Sequence, residues 1–318
     1  MSKEKVISII APCYNEEVNI LSFYEKILKV FCDLESYTYE LIFADDSSDD
    51  KTVELIKNLA KKDKKVKLVV NANNHGVYKN SFNAIKYATG AALVPVLPVD
   101  LQDPPELINE FIKNWEMGSK IVIGTRKERN ENFFMRLIRS LYYKIVDVFS
   151  DRKLVTYGGE FGLIDKTIYK QLLNFDDYYP YTRGLIASLS NNISTVPYTW
   201  QKRSKGKSNY TIFSYYDHAV NGLISTSRNL LRRIIFVGII SSFFVFIGLI
   251  YQFVNFIFFD KSLIPPGTLT ILLLLTFLLI FLLVTLSFLS EYIVAIHSQV
   301  RNNIGIFEKE TVNINFDN

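Results

Sequence analysis

Asp100, Gln102 and Asp103 stand together in the segment VDLQDPPE, directly after an apolar run. Hard oxygen ligands of this kind suit Mg2+ or Mn2+, which keep several waters and bind through few carboxylates together with substrate phosphates. A departing nucleoside diphosphate needs such a cation or fixed positive charge. Pro104 and Pro105 would stiffen the exit and begin a helix, and Asp103 reads equally well as that helix's cap. Asp45 and Asp46, in LIFADDSSDDKT, could accept hydrogen bonds from a base N–H or from ribose hydroxyls, and Asn15 and Glu16 invite the same role. Asp49 and Asp50 read as part of a solvated turn, with Ser48 or Asp49 available to cap the next helix.

Basic groups suit the other half of such a reaction. Arg126 follows an apolar run, and Arg136 and Ser140 lie four apart, on one face of a helix expected over 133–149. An arginine fork matches a phosphate. Arg203, Lys205 and Lys207 surround Gly206 in a loop that could close over a pyrophosphate. The bland alternative for the arginines is snorkelling at a membrane surface. His75 sits in a loop, NANNHG, as either a donor contact or a surface histidine. No Ser/His/Asp or Cys/His nucleophilic set and no metal-binding histidine pair is legible.

These groups need elements to position them. Residues 6–11, 39–44, 66–70, 91–97 and 120–124 are short apolar runs of the buried-strand kind, and amphipathic stretches at 17–35, 51–62, 77–89 and 105–117 alternate with them. That alternation predicts a parallel α/β sheet, whose ligands bind at the carboxyl ends of the strands. The polar clusters at Asn15-Glu16, Asp45-Asp46, Asn74-Gly76 and Asp100-Asp103 fall at those ends. Residues 154–200 are mixed and aromatic-rich.

Two long apolar runs follow, 234–259 and 268–296, each exceeding the ~20 residues that span a bilayer core. A buried hairpin in a soluble protein is the alternative. Arg228, Arg232 and Arg233 precede the first run and Arg301 follows the second, which places both flanks on the cytoplasmic side. Residues 210–231 read as interfacial amphipathic helix. The N-terminal apolar run ends at Pro12, too short for a signal peptide, so the catalytic domain is expected in the cytosol beneath a multi-pass inner-membrane anchor. The chain carries 318 residues, 49 % hydrophobic, 21 % charged, net charge +4. Without a Lys/Arg-rich run, a nucleic-acid partner is excluded, and the positive excess points to anionic headgroups and a phosphorylated substrate. Cys13 and Cys32 read as buried thiols in a reducing compartment. The tail after 302 reads as flexible.

The motifs IIAPCYNEE, LIFADDSSDDKT, NNHG, VDLQDPPE, GTR (124–126) and the basic loop near SKGKSNY resemble inverting family 2 glycosyltransferases of the GT-A fold, and among them the polyprenyl-phosphate glycosyltransferases. The resemblance implies a Rossmann-like, mostly parallel catalytic domain over 1–209, juxtamembrane helices over 210–232, a transmembrane hairpin over 233–298 and a cytoplasmic tail over 299–318. It implies that Pro12, Tyr14 and Glu16 line the nucleotide pocket with Asp45 near the base. Asp100 and Gln102 would bind Mg2+ or Mn2+. Arg126, Arg136 and Ser140 would hold the acceptor phosphate, Arg203 and Lys205 the donor pyrophosphate, and Glu160 would lie near the acceptor. The donor would be a nucleotide-sugar, UDP-linked in most bacterial relatives, and the acceptor undecaprenyl or another polyprenyl phosphate. Two spans are too few for a conducting path, though a homo-oligomer would supply more. Pro98 stands where the family usually has an acid, Gly162 where an arginine is common, and Asn209 where a lysine is common. Pro98 and Gly162 favour one alternative, a catalytically degenerate nucleotide-binding scaffold, and the acidic loops are shared by another, a processive polysaccharide synthase.

Overall fold

The computed structural model describes residues 4–128, 155, 158–175, 182–201, 267–300 and 305–314, with scattered positions between 240 and 258. The chain divides into two compact units, one holding residues up to 225 together with 304–318 and the other essentially 226–303.

The first unit is built on an eight-stranded sheet. Strand β1 (Lys5–Cys13) carries Ile7, Ile9 and Ile10, all fully buried, because helices cover both faces and a two-sided strand must be apolar throughout. Helix α1 (Ile20–Cys32) leads to β2 (Tyr37–Asp45), α2 (Thr52–Lys62), β3 (Val66–Asn71), α3 (Val77–Ile85) and β4 (Ala92–Val94). A 3-10 turn (Pro105–Leu107) and α4 (Ile108–Glu116) precede β5 (Ile121–Glu128). Then come β6 (Gly158–Asp165), α5 (Lys166–Leu172), α6 (Thr182–Leu189), β7 (Ile193–Thr199) and, after the hydrophobic segment, β8 (Glu308–Val312).

The strand order is β7-β5-β6-β4-β1-β2-β3-β8. Strands β1, β2, β3 and β4 run parallel, as do β5 and β7, while β6 and β8 are antiparallel to their neighbours. From β1 the chain winds outward through β2 and β3, then returns to place β4 on β1's other side. The strand order therefore reverses between β1 and β4, the kind of place where ligands bind in open α/β sheets.

Three expectations are corrected. Strand β4 ends at Val94 rather than 97, because Pro95 has no N–H for the ladder. The tail, expected to be flexible, holds a strand among its described residues: Glu308–Val312 add an edge strand to β3. Cys13 is buried as expected, but Cys32 is exposed at the end of α1.

Asp165 caps α5 and ties it to α4, accepting from Thr167 N (3.0 Å), Thr167 Oγ1 (2.6 Å) and Trp115 Nε1 (2.9 Å), with Lys120 at 3.3 Å. Burial opposes its charge, but these donors outweigh it and hold the carboxyl at about 2 instead of the ordinary 3.8. A depressed folded-state pKa stabilises fully above the unfolded value and is lost as pH falls through the folded one. Asp165→Asn is therefore expected to flatten the decline in thermal midpoint across that acid window, and an undiminished decline would contradict the assignment.

In the second unit, α7 (Gly267–Val300) is apolar on every side. Its stretch Leu274–Val294 is, among the described residues, the one helix long and apolar enough to cross a membrane. The described positions of the first apolar run are helical, and Phe243, Ile247, Ile250, Val254 and Phe258 are exposed at helical spacing. Most of that run, and all of 210–232, lie outside the described residues, so two transmembrane helices are expected from sequence and one is described.

Candidate active site

Three loops meet at the carboxyl ends of β1, β2 and β4. The first two are stitched together. Asn15, at φ 53, donates its N–H to Ser48 Oγ (2.9 Å), and its side chain accepts from Asp49 N (2.9 Å). Glu16 N donates to Thr52 Oγ1 (2.9 Å), Glu17 N to Asp50 (3.1 Å), and Lys51 N to Glu17 (3.1 Å). The Asp50 carboxylate is therefore a structural part of the rim, while the Asp49 side chain is exposed as a solvated turn residue would be. No side chain at 48 or 49 caps α2; Asp50 accepts from Thr52 N at 2.9 Å instead. Pro12 is buried at the strand end, while Tyr14 and Glu16 are half-buried on this rim, where a nucleotide would meet them.

Asp45 is fully buried, and both its oxygens serve the turn, accepting from Ser48 N (3.0 Å) and Ser48 Oγ (2.5 Å). Burial pushes its carboxyl up despite those bonds, with Asp46 and Asp50 adding to the rise. Contact with a base would require Ser48 to release it. Asp46 is buried and turns its carboxylate into the fold. Its carboxylate accepts from His75 N (3.0 Å), Gly76 N (2.7 Å) and Asn71 Nδ2 (3.0 Å). It builds the loop after β3, and His75 enters the site's architecture through its backbone.

The third loop carries the candidate cation ligands. Asp100 is half-buried and accepts from Gln102 N at 3.2 Å across Leu101, which sits at φ 60. Among the described residues no three carboxylate, histidine or cysteine groups cluster as a metal cage. One carboxylate beside an amide still fits a Mg2+ or Mn2+ that arrives on a diphosphate and retains waters. Gln102 also pairs with the chain beyond β7: Gln201 N donates to Gln102 O (3.0 Å), and Gln102 Nε2 lies 3.4 Å from Gln201 O. The basic segment with Arg203 and Lys205 begins immediately after Gln201, so the acidic loop is fastened to its root. Arg203, Lys205, Arg136 and Ser140 themselves lie outside the described residues.

Asp103 and Arg126 engage each other. Asp103 neither caps a helix nor replaces the acid missing at Pro98. Its buried carboxylate takes Arg126 Nη2 at 3.0 and 3.1 Å and the Tyr198 hydroxyl. Arg126 in turn donates through Nε to Tyr198 (3.0 Å) and stacks on Trp200, 5.1 Å from the ring centre. Burial disfavours its charge, but Asp103 and Tyr198 raise its pKa further above the ordinary arginine range. So engaged, the guanidinium locks the acidic loop to β5 and β7. Tyr198 was missed by sequence reasoning, since a tyrosine in ISTVPYT carries no motif. Glu160 is half-buried on β6, next to Gly159, where a side chain would lie 3.7 Å from the Arg126 guanidinium.

Gly162, standing where an arginine is common, has a local cause. A Cβ there would lie 2.2 Å from the Val122 carbonyl oxygen across the β5–β6 ladder, beside a register irregularity at Ile123/Thr125. No side chain fits without moving backbone. Gly162→Ala is expected to cost ~3 kcal/mol or more, read as a lowered thermal midpoint of the detergent-solubilised chain. An unchanged midpoint would refute this packing.

The sheet is a mostly parallel α/β one with an acidic loop after its reversal point, and that loop is joined to the chain just beyond β7. The chain belongs to glycosyl transferase family 2, whose sequence pattern matches residues 8–173. It is 29 % identical to the uncharacterized glycosyltransferase YkcC of Bacillus subtilis over 95 % of this chain and 93 % of that protein. It is 27 % identical to the SfII prophage-derived bactoprenol glucosyl transferase of Shigella flexneri over 93 % of this chain and 95 % of that one. In fold it is similar to glucosyl-3-phosphoglycerate synthase from Mycobacterium tuberculosis, with TM-score 0.50, 16 % identity, and coverage of 70 % of this chain and 80 % of that one.

Proposed function

We propose that this glycosyltransferase moves one sugar from a nucleotide-sugar, UDP-linked, onto undecaprenyl or another polyprenyl phosphate at the cytoplasmic face of the membrane, with inversion at the anomeric carbon. The observation that carries the reading is the Gln102–Gln201 pairing. It joins the loop able to hold a cation to the root of the segment able to neutralise a diphosphate. Two bactoprenol glucosyl transferases among its relatives, each matched over 95 % of its length, support a polyprenyl acceptor.

Chain connectivity supports the membrane reading. Strand β8 lies in the same sheet as β1–β7, so the strands up to Thr199 and the strand from Glu308 share one side of any bilayer. The hydrophobic segment must then cross an even number of times, which calls for a partner span to Leu274–Val294 within the first apolar run. Positive flanks place that side in the cytoplasm.

The acceptor phosphate monoester is largely dianionic near neutral pH, its second pKa being ~6, so it needs little help from a base. Its oxygen attacks the anomeric carbon from the face opposite the diphosphate, the sugar–diphosphate bond breaks, and UDP leaves with the electron pair. Tyr14, Glu16 and Pro12 would seat the nucleotide. A Mg2+ or Mn2+ held by Asp100 and Gln102 would supply charge neutralisation for the leaving group. Arg203 and Lys205 would bind the pyrophosphate, Arg136 and Ser140 the acceptor phosphate, and Glu160 would orient the acceptor rather than deprotonate it. Catalysis then rests on positioning and preorganised charge.

A second reading, the degenerate scaffold, is favoured by Pro98 and by the commitment of Asp103 to Arg126, which leave Asp100 as the loop's remaining candidate carboxylate ligand. The test is transfer of radiolabel from a panel of UDP-sugars to undecaprenyl phosphate by the purified full chain with Mn2+ or Mg2+. Label is expected in the organic phase from one donor, and only when the lipid is present. Nucleotide binding without transfer from any donor would favour the scaffold.

A further inference from the structure

We propose that the C-terminal strand β8 is a strap that positions the loop 72–76 on the nucleotide side of the site, with Glu308 as its anchoring residue. The proposal rests on the reading that a nucleotide-sugar binds at the carboxyl ends of β1–β4. The loop is held from two directions. From the β2 side Asp46 accepts from His75 N and Gly76 N. From the outer side the Phe307 carbonyl accepts from Ala72 N at 2.9 Å, at the point where β3 gives way to the loop. Asp46 neighbours Asp45 and the stitched rim on β2, so what the strap holds is continuous with the candidate nucleotide pocket.

Strand β8 pairs with β3 in the register Leu68↔Val312, Val69↔Thr311, Val70↔Glu310 and Asn71↔Glu308. Its sequence, EKETV, is mostly polar: Val312, with Ile314 just beyond, packs against the core at the far end, and at the loop end edge pairing and side-chain anchors hold it. Glu308 is the strongest of these. Its carboxylate, only 12 % exposed, takes Lys86 Nζ (2.7 Å), Asn83 Nδ2 (2.7 Å) and the Tyr87 hydroxyl. All three come from α3 or the turn that ends it, and α3 begins at Val77, directly after the loop. At the other end Asn313 Nδ2 donates to Ala60 O (2.7 Å) and Val66 O (2.9 Å), and Lys57 pairs with Glu310 at 2.6 Å. The strap thus bridges α2, β3 and α3. It enters the sheet at the end that carries the site loops, seven residues (301–307) after α7 closes. Asp46 alone would leave the first half of the loop, from Ala72 to Asn74, without its outer anchor, and an unanchored loop must be ordered by the ligand at the ligand's expense in affinity.

The test uses the full chain in detergent beside three forms of it: Glu308→Ala, Glu308→Gln, and a chain ending at Asn303. UDP binding with Mn2+ is measured by calorimetry, donor and acceptor KM and kcat by the transfer assay, and exchange of the 72–76 amides by mass spectrometry. Glu308→Ala and the truncated chain are expected to exchange these amides faster, to raise the UDP Kd and donor KM about tenfold, and to leave kcat and acceptor KM within about threefold of wild type. Glu308→Gln, which keeps one acceptor oxygen for Asn83 and can turn its amide N–H to the Tyr87 oxygen, should fall between. A peptide of residues 304–318 added in trans should restore the truncated chain. Unchanged exchange in Glu308→Ala, or a loss confined to kcat, would overturn the strap. If the truncated chain does not fold, the intact-chain variants decide. A wild-type chain that binds no nucleotide would refute the functional reading instead, while the exchange measurement would still judge the strap.

Discussion

Asp100→Ala is expected to lower kcat by on the order of 10³-fold or more while leaving the protein folded. The magnitude is that of removing a preorganised group aimed at charge developing in the transition state. Pro98 stands two residues before it, and Asp103 is consumed by Arg126, so the loop holds no second described carboxylate to take over. Asp100 is half-buried at the carboxyl end of the sheet and contributes to a turn rather than to the core, so the thermal midpoint should stay near wild type. UDP binding should lose its dependence on Mn2+ in the variant. A substituted enzyme that still turns over would remove Asp100 from the chemistry.

Arg126→Ala is expected to act oppositely, on stability first. The guanidinium is 22 % exposed and its partner Asp103 only 5 %. Removing it strands a buried carboxylate that also accepts from Tyr198, and breaking a buried pair from one side costs ~3–5 kcal/mol. Arg126→Lys should recover little, because one ammonium cannot bond both carboxylate oxygens and the phenol together. Replacing Asp103 and Arg126 together with Asn and Met should cost less than Arg126→Ala alone, since no unpaired charge remains. Thermal unfolding of the four proteins in detergent decides it. Were Arg126 a ligand of the acceptor phosphate, Arg126→Ala would instead raise acceptor KM with a nearly unchanged midpoint.

The first half of the sheet was legible because its chemistry is repetitive. Strands buried on both faces must be continuously apolar, so VISIIA, YELIFA and VKLVV announced themselves, and the polar clusters after them marked the site end. Strands β6, β7 and β8 were not legible, for separate reasons. In β6, GGEFGLID holds three glycines, and Gly162 is required by an approach to the Val122 carbonyl that no local pattern encodes. In β7, Pro197 interrupts a run that is tolerated because the strand lies at the sheet edge. In β8, a polar tail acquires its conformation from β3. The site divides in the same way. Asp100 and Gln102 were recognisable by spacing and stand where the loop presents them. The burial of Asp103, Arg126 and Asp46 was not, because each is neutralised by groups on other strands: Arg126 and Tyr198 for Asp103, the loop amides after β3 for Asp46. A charge in sequence looks available until the sheet supplies its partner.

The proposed reaction leaves a product of defined mass. Mass spectrometry of the lipid recovered after incubating the full chain with undecaprenyl phosphate, divalent cation and the active UDP-sugar is the most direct measurement. The expected species is the lipid phosphate carrying one sugar and no second phosphate. A ladder of sugars on one lipid would mark a polymer synthase, and unmodified lipid beside an enzyme that binds nucleotide would mark a scaffold; either would contradict the single-sugar transfer proposed here.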